Sequence, residues 1–124
     1  MSGNKLLDTN ILIYLSKKEL SLNQFAGEDD KLSISVITLM EAKGFAFQNE
    51  KEEKIIDDLC NVLEVINLSD DIVAEVIALR KKSRIKIPDA IIFATAKQNG
   101  CSLITRNIED FADCSDEISI INPF

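Results

Sequence analysis

One arrangement recurs along this sequence: a short apolar run, then a stretch whose apolar residues return every three or four positions. Lys5-Leu6-Leu7 leads into Asp8-Thr9-Asn10, after which the spacing changes to Ile11, Leu12 and Leu15, the mark of a buried strand feeding a helix through its N-cap. Leu32-Ser33-Ile34-Ser35 repeats the strand, and Val36 to Gln48 keeps helical spacing through Ile37, Met40, Gly44 and Phe47. The charged stretch Glu50 to Lys54 opens another helix, and Val62 to Ile66 is a third apolar run rich in β-branched residues. Asp70 to Lys82 reads as a helix with acids at its start, bases at its end, and Ile72, Val76 and Leu79 on one face. Pro88 suits the first turn of a helix that is apolar nearly all round from Ala90 to Ala96 and stops at Gly100, so that helix is expected to be central. Ser102 to Thr105 and Ile118 to Ile121 supply a fourth and a fifth strand, with a short helical turn over Asn107 to Phe111 between them. A chain alternating in this way is α/β, with a parallel sheet covered on both faces.

The 124 residues are enough for one domain, 1–124, and 46% of them are hydrophobic, without repeats, linkers or low-complexity tracts. No window approaches the roughly 18 apolar residues of a membrane span, and Met1 to Lys5 lacks the cationic start of a signal peptide, so a soluble, cytoplasmic protein with no membrane partner is expected. Cys60, Cys101 and Cys114 are odd in number, far apart and unaccompanied by any His, which excludes a disulfide framework or a zinc site and leaves buried free thiols. The formal net charge of −7 opposes sequence-blind nucleic-acid binding by the chain as a whole. A nucleic-acid substrate would need cations and a local basic patch.

Four acids are the candidates for chemistry: Asp8, Glu41, Asp89 and Asp110. Each alone has a structural explanation. Asp8 and Asn107 could be N-caps, Thr38 to Glu41 has the form of a capping box, and Pro88-Asp89 is an ordinary helix opening. Together they fall where an open α/β sheet places its ligands, beyond the carboxyl ends of the strands. Glu41 shares a helix side with Ile37 and Gly44, among core-facing positions, and Gly44 either leaves room beside its carboxylate or lets two helices approach. Carboxylates are the hard oxygen ligands that Mg²⁺ and Mn²⁺ prefer, and such a site activates water for attack on phosphorus.

The ordered set Asp8-Thr9-Asn10, Thr38-x-x-Glu41, Pro88-Asp89-Ala90 and Thr105-Arg106-Asn107-x-x-Asp110-Phe111 resembles the PIN-domain ribonucleases, particularly the VapC-type toxins, over almost the whole chain. The resemblance implies a three-layer α/β/α fold on a central, mostly parallel five-stranded sheet. It also implies that Asp8, Glu41 and Asp89 are the core metal-binding acids of a Mg²⁺- or Mn²⁺-dependent endoribonuclease. Asp110 ranks first as the fourth acid and Asn107 is the alternative, a neutral ligand, while Thr9, Asn10 and Thr105 orient the acids or a phosphate. An RNA substrate, products with a 5′-phosphate and a 3′-hydroxyl, a cognate antitoxin that blocks the cleft, and a homodimer built on helical faces are implied as well.

Arg106 adjoins these acids and is a candidate for a substrate phosphate contact or for neutralising a carboxylate. Arg80, Lys81, Lys82, Arg84 and Lys86 form either a backbone-binding ridge or the solvated dressing of a helix C-terminus. Phe45 and Phe47 are read as core or dimer contacts within a helix, and Tyr14 as a residue near the site or on a partner surface. Two other readings compete with the nuclease: a non-catalytic PIN-like interaction module, and a phosphatase of the haloacid dehalogenase type with Asp8 as nucleophile. The second lacks the further Asp that such enzymes carry shortly after the first.

Overall fold

The computed structural model describes residues 3–124. Its strands are β1 (Asn4–Leu7), β2 (Lys31–Ser35), β3 (Glu64–Ile66), β4 (Ser102–Ile104) and β5 (Ile120–Ile121). They form one sheet in the order β3-β2-β1-β4-β5, and every pairing is parallel. The helices are α1 (Thr9–Ser16), α2 (Val36–Lys43), α3 (Glu50–Val62), α4 (Asp70–Lys82) and α5 (Ile87–Gln98). Two 3-10 segments, Leu22–Gln24 and Ile108–Glu117, complete the described elements.

The period of two along a strand sorts neighbouring residues onto opposite faces. Leu6, Leu103 and Ile120 join one core with Ile72, Leu79, Phe93 and Phe111, beneath α4 and α5. Leu7, Ile104 and Ile121 join the other with Ile11, Leu12, Ile56 and Cys60, beneath α1 and α3. Two apolar layers on a two-sided sheet make the fold three-layered, as expected. The residues between Ala90 and Ala96 are buried except Ile91, so α5 is the internal helix that its all-round apolar sequence requires.

Strand order places the site. The chain moves outward on one side of β1 to β2 and β3, then returns to the other side as β4 and β5. The carboxyl ends of β1 and β4 therefore flank the point where the winding reverses, and crevices in open parallel sheets form there. The backbone N–H of Asp8 donates to Ile104 O at 2.9 Å, carrying the β1–β4 ladder one residue further and fixing Asp8 beside Thr105.

The second cycle departs from its expected form. Helix α2 ends at Lys43 with Gly44 as C-cap, instead of running to Gln48, and α3 begins afresh after Asn49, whose side chain accepts from Lys51 N. Phe45 and Phe47 thus lie in a loop rather than a helix, their rings 4.7 Å apart, with Phe45 exposed and Phe47 half-buried. A Cβ at Gly44 would stand 2.8 Å from the Met40 carbonyl oxygen, so this glycine closes a helix end; it opens no space beside Glu41. The N-cap of α2 is Ser35, accepting from Ile37 N at 3.2 Å, which removes Thr38 to Glu41 from the capping-box role. Cys60, Cys101 and Cys114 are buried free thiols whose pKa values burial raises, that of Cys114 to about 11.

Candidate functional site

Asp8 ends β1 and caps α1, and only 6% of it is exposed. A buried carboxylate must be met by donors. Thr9 N donates to its Oδ1 at 2.8 Å, while Thr105 Oγ1 at 2.7 Å and Asn10 Nδ2 at 3.0 Å donate to its Oδ2. The orientation of each partner follows. The Thr105 hydroxyl accepts from Asn107 N at 3.1 Å and from Asn10 Nδ2 at 3.4 Å, so its own proton is left for Asp8. Asn10 spends its amide on Asp8 and Thr105 and accepts Arg106 N on its Oδ1 at 3.3 Å. Burial still prevails over these bonds, and with the nearby Glu41 charge it holds the Asp8 pKa above the ordinary carboxylate value.

Glu41 projects from α2 and is exposed, not core-facing as its helix side suggested. Its Oε1 accepts from the Thr9 hydroxyl at 2.7 Å, and that hydroxyl lies 3.1 Å from the Thr38 hydroxyl. Thr38 is fully buried, so the two threonines tie the start of α1 to α2 and aim Glu41 at the end of β1. Sequence reading gave Thr38 a cap and a place in the Thr38-x-x-Glu41 motif but no role in the site; no periodicity marks a buried hydroxyl at a helix crossing.

Asp89 occupies the first turn of α5 just after Pro88 and is half-buried. Its pKa is pushed up to about 6, first by desolvation and then by the charges of Asp110, Asp8 and Glu41, with Lys86 opposing. Asp89 therefore lies within the field of the three other acids, although the four come from separate segments. Asp110 stands in the 3-10 segment, held in place by buried Phe111 against Phe93, by Glu117 accepting from Lys97 Nζ at 2.7 Å, and by Ser83 Oγ donating to Asp113 at 3.3 Å. Among the described residues no three His, Cys, Asp or Glu side chains already stand close enough to form a ready metal-holding group. Asn107 is exposed; its backbone N–H is engaged by Thr105, and its side chain caps nothing.

A cleft of about 220 Å³ adjoins the acids, lined by Ser83, Arg84, Ile85, Lys86, Asp89, Glu109, Asp110 and Asp113. The basic run is thereby divided. Arg80 donates to Ile85 O at 2.6 Å and Lys82 pairs with Glu117 at 3.5 Å, whereas Arg84 and Lys86 face the cleft. Arg106 pairs with no carboxylate among the described residues. Its guanidinium carbon lies 4.4 Å from the Phe124 ring centroid and 5.1 Å from that of Tyr14. Tyr14, read from sequence as near the site or on a partner surface, stands one helical turn after Asn10; nothing in the sequence marks Phe124 as its neighbour.

The PIN domain family matches residues 5–116 of this chain. The chain is similar to a solved toxin-antitoxin complex from Klebsiella pneumoniae, at 35% identity with 97% of this chain and 98% of that one covered and a TM-score of 0.76. A VapBC complex from Rickettsia felis bound to a promoter DNA fragment shares the fold at 22% identity, with 96% and 98% covered and a TM-score of 0.78. A VapBC complex from nontypeable Haemophilus influenzae does so at 24% identity, with 97% and 98% covered and a TM-score of 0.74. No curated relative matches the chain.

Proposed function

The chain belongs to the PIN-domain family, and on that premise we propose that it is a divalent-metal-dependent endoribonuclease, the toxin of a toxin-antitoxin pair. The observation that carries the reading is the gathering of acids around Asp89: burial first, and then Asp110, Asp8 and Glu41 from three other segments, raise its pKa to about 6, an environment that favours a bound cation. The donor set fits Mg²⁺ or Mn²⁺, because every side chain offered is a hard oxygen and the three thiols are buried elsewhere. Asp8, Glu41, Asp89 and Asp110 would hold the ion, with Asp110 favoured over Asn107 because Asp110 is the largest charge acting on Asp89. When bound, the ion supplies Lewis acidity toward water and the phosphoryl oxygens.

The chain's own groups perform the rest. Thr105, Asn10 and the Thr9 N–H fix the Asp8 carboxylate against rotation, and the Thr9 hydroxyl does the same for Glu41. Arg84 and Lys86 place positive charge on the cleft wall facing Asp89, where an RNA backbone would run. A phosphatase nucleophile at Asp8 is disfavoured, since both of its oxygens already accept hydrogen bonds and it is buried.

The solved complexes support an antitoxin as partner, one that offers Arg or Lys to the acids in place of metal charge. A homodimer would bury Val73 and Ile77, which stand one turn apart and exposed on α4. Cleavage of RNA with Mg²⁺ or Mn²⁺ tests the proposal. It should stop with chelator and be lost in folded Asp8→Asn, Glu41→Gln and Asp89→Asn, with Asp110→Asn more damaging than Asn107→Ala. Full activity in the first three variants would reject the site.

A further inference from the structure

Arg106 is an exposed arginine whose backbone and side chain lead in different directions. Its backbone is bound into the Asp8 network, because its N–H donates to Asn10 Oδ1 at 3.3 Å and its neighbours Thr105 and Asn107 share the Thr105 hydroxyl. Although the chain carries a net charge of −7, the exposed guanidinium pairs with no carboxylate among the described residues. Instead it runs along α1 to Tyr14 and lies over the Phe124 ring, 5.1 and 4.4 Å from the two centroids. The rings pack edge to face with centroids 4.8 Å apart, so they make one aromatic corner under the cation.

Stacking engages the faces of a guanidinium and leaves its N–H donors in the plane around the edge. Among the described residues none of those donors meets a protein acceptor. The aromatic corner therefore holds the guanidinium away from carboxylates with its donors free, on a backbone anchored through Asn10 to Asp8. We propose that Arg106 binds a phosphate of the RNA strand beside the bond to be cut, and that Tyr14 and Phe124 are the positioning residues that hold it off the carboxylates for that purpose. The inference rests on the nuclease reading above. A planar fork of free N–H groups matches two phosphate oxygens, and an ion pair with a site acid would have consumed it.

The test is binding of a fluorescein-labelled single-stranded RNA oligonucleotide by anisotropy in chelator across a KCl series, alongside Mn²⁺-dependent cleavage of the same RNA. Loss of one phosphate contact should weaken binding about tenfold in Arg106→Gln and reduce the slope of log affinity against log salt by about 0.7, the single-strand value per phosphate. Arg106→Lys should keep the slope, because it keeps the charge, while binding more weakly than wild type. Phe124→Leu and Tyr14→Leu should weaken binding severalfold in the wild-type background and leave Arg106→Gln unaltered, since they act through the arginine. An unchanged slope in Arg106→Gln, or an equal effect of Phe124→Leu with and without Arg106, overturns the inference while leaving a cleaving wild type as a nuclease. A wild type that neither binds nor cleaves overturns the nuclease reading, and this inference with it.

Discussion

At the scale of single residues, the site depends on how a buried charge is satisfied. Thr105 is fully buried and its hydroxyl has one proton to give, which goes to Asp8. Thr105→Val keeps the shape but removes that donor and the acceptor used by Asn107 N, so unfolding stability should fall by about 1–3 kcal/mol. Thr105→Ser should retain most of it. Denaturant melts of the three proteins decide this, and equal midpoints for Val and wild type would show that the bond contributes nothing. The reading of Asp8, Asp89 and Asp110 from sequence rested on their positions after strands or at a helix opening, and position is what the structure preserves. The reading of Glu41 rested on helical phase, which reports only the direction a side chain leaves its helix. Phase misplaced it in the core, because at that position on α2 the side chain meets the Thr9 hydroxyl and solvent.

At the scale of elements, the strand and helix cycle was legible because β1, β4 and β5 split adjacent apolar residues between two cores, while α3 and α4 keep one apolar face and α5 is apolar nearly all round. What was not legible was the break after Lys43, since Phe45 and Phe47 continue the apolar spacing after the backbone has stopped being helical. Polar closures are equally silent in a hydrophobic pattern. Asp30 accepts from Gly3 N at 3.0 Å, Gly27 N at 2.8 Å and the Lys5 ammonium, tying the turn before β2 to the start of β1. These donors, Lys5 first, pull its pKa down to about 2. A depressed acid contributes stability fully above its unfolded value and loses it as pH falls through the folded one, here between about 3.8 and about 2. Asp30→Asn should therefore melt below wild type at pH 7, with the gap closing as the pH falls toward 2. A gap that stays constant over a melting series from pH 6 downward would contradict the linkage.

For the whole molecule, the proposed site predicts that acids crowded around Asp89 are a cost that a bound cation would remove. Divalent ion should raise the melting temperature of wild type by mass action, because the unfolded chain disperses the ligands. Asp89→Asn relieves repulsion in the metal-free protein, so it should melt no lower than wild type in chelator yet gain less from Mn²⁺. Equal Mn²⁺ shifts in the two proteins would remove Asp89 from the set, and a marked loss in chelator would return it to a role in opening α5. The bond between Asp8 and Thr105 spans 97 positions of sequence. Long-range closure of that kind is slow to find and cannot precede synthesis of its second half. At ribosomal rates of roughly 5–20 residues per second, a growing chain would carry Asp8 for about 5 to 20 s before Thr105 exists to orient it. On the nuclease reading proposed above, the site could not act on any RNA, the encoding message included, before Thr105 has been made.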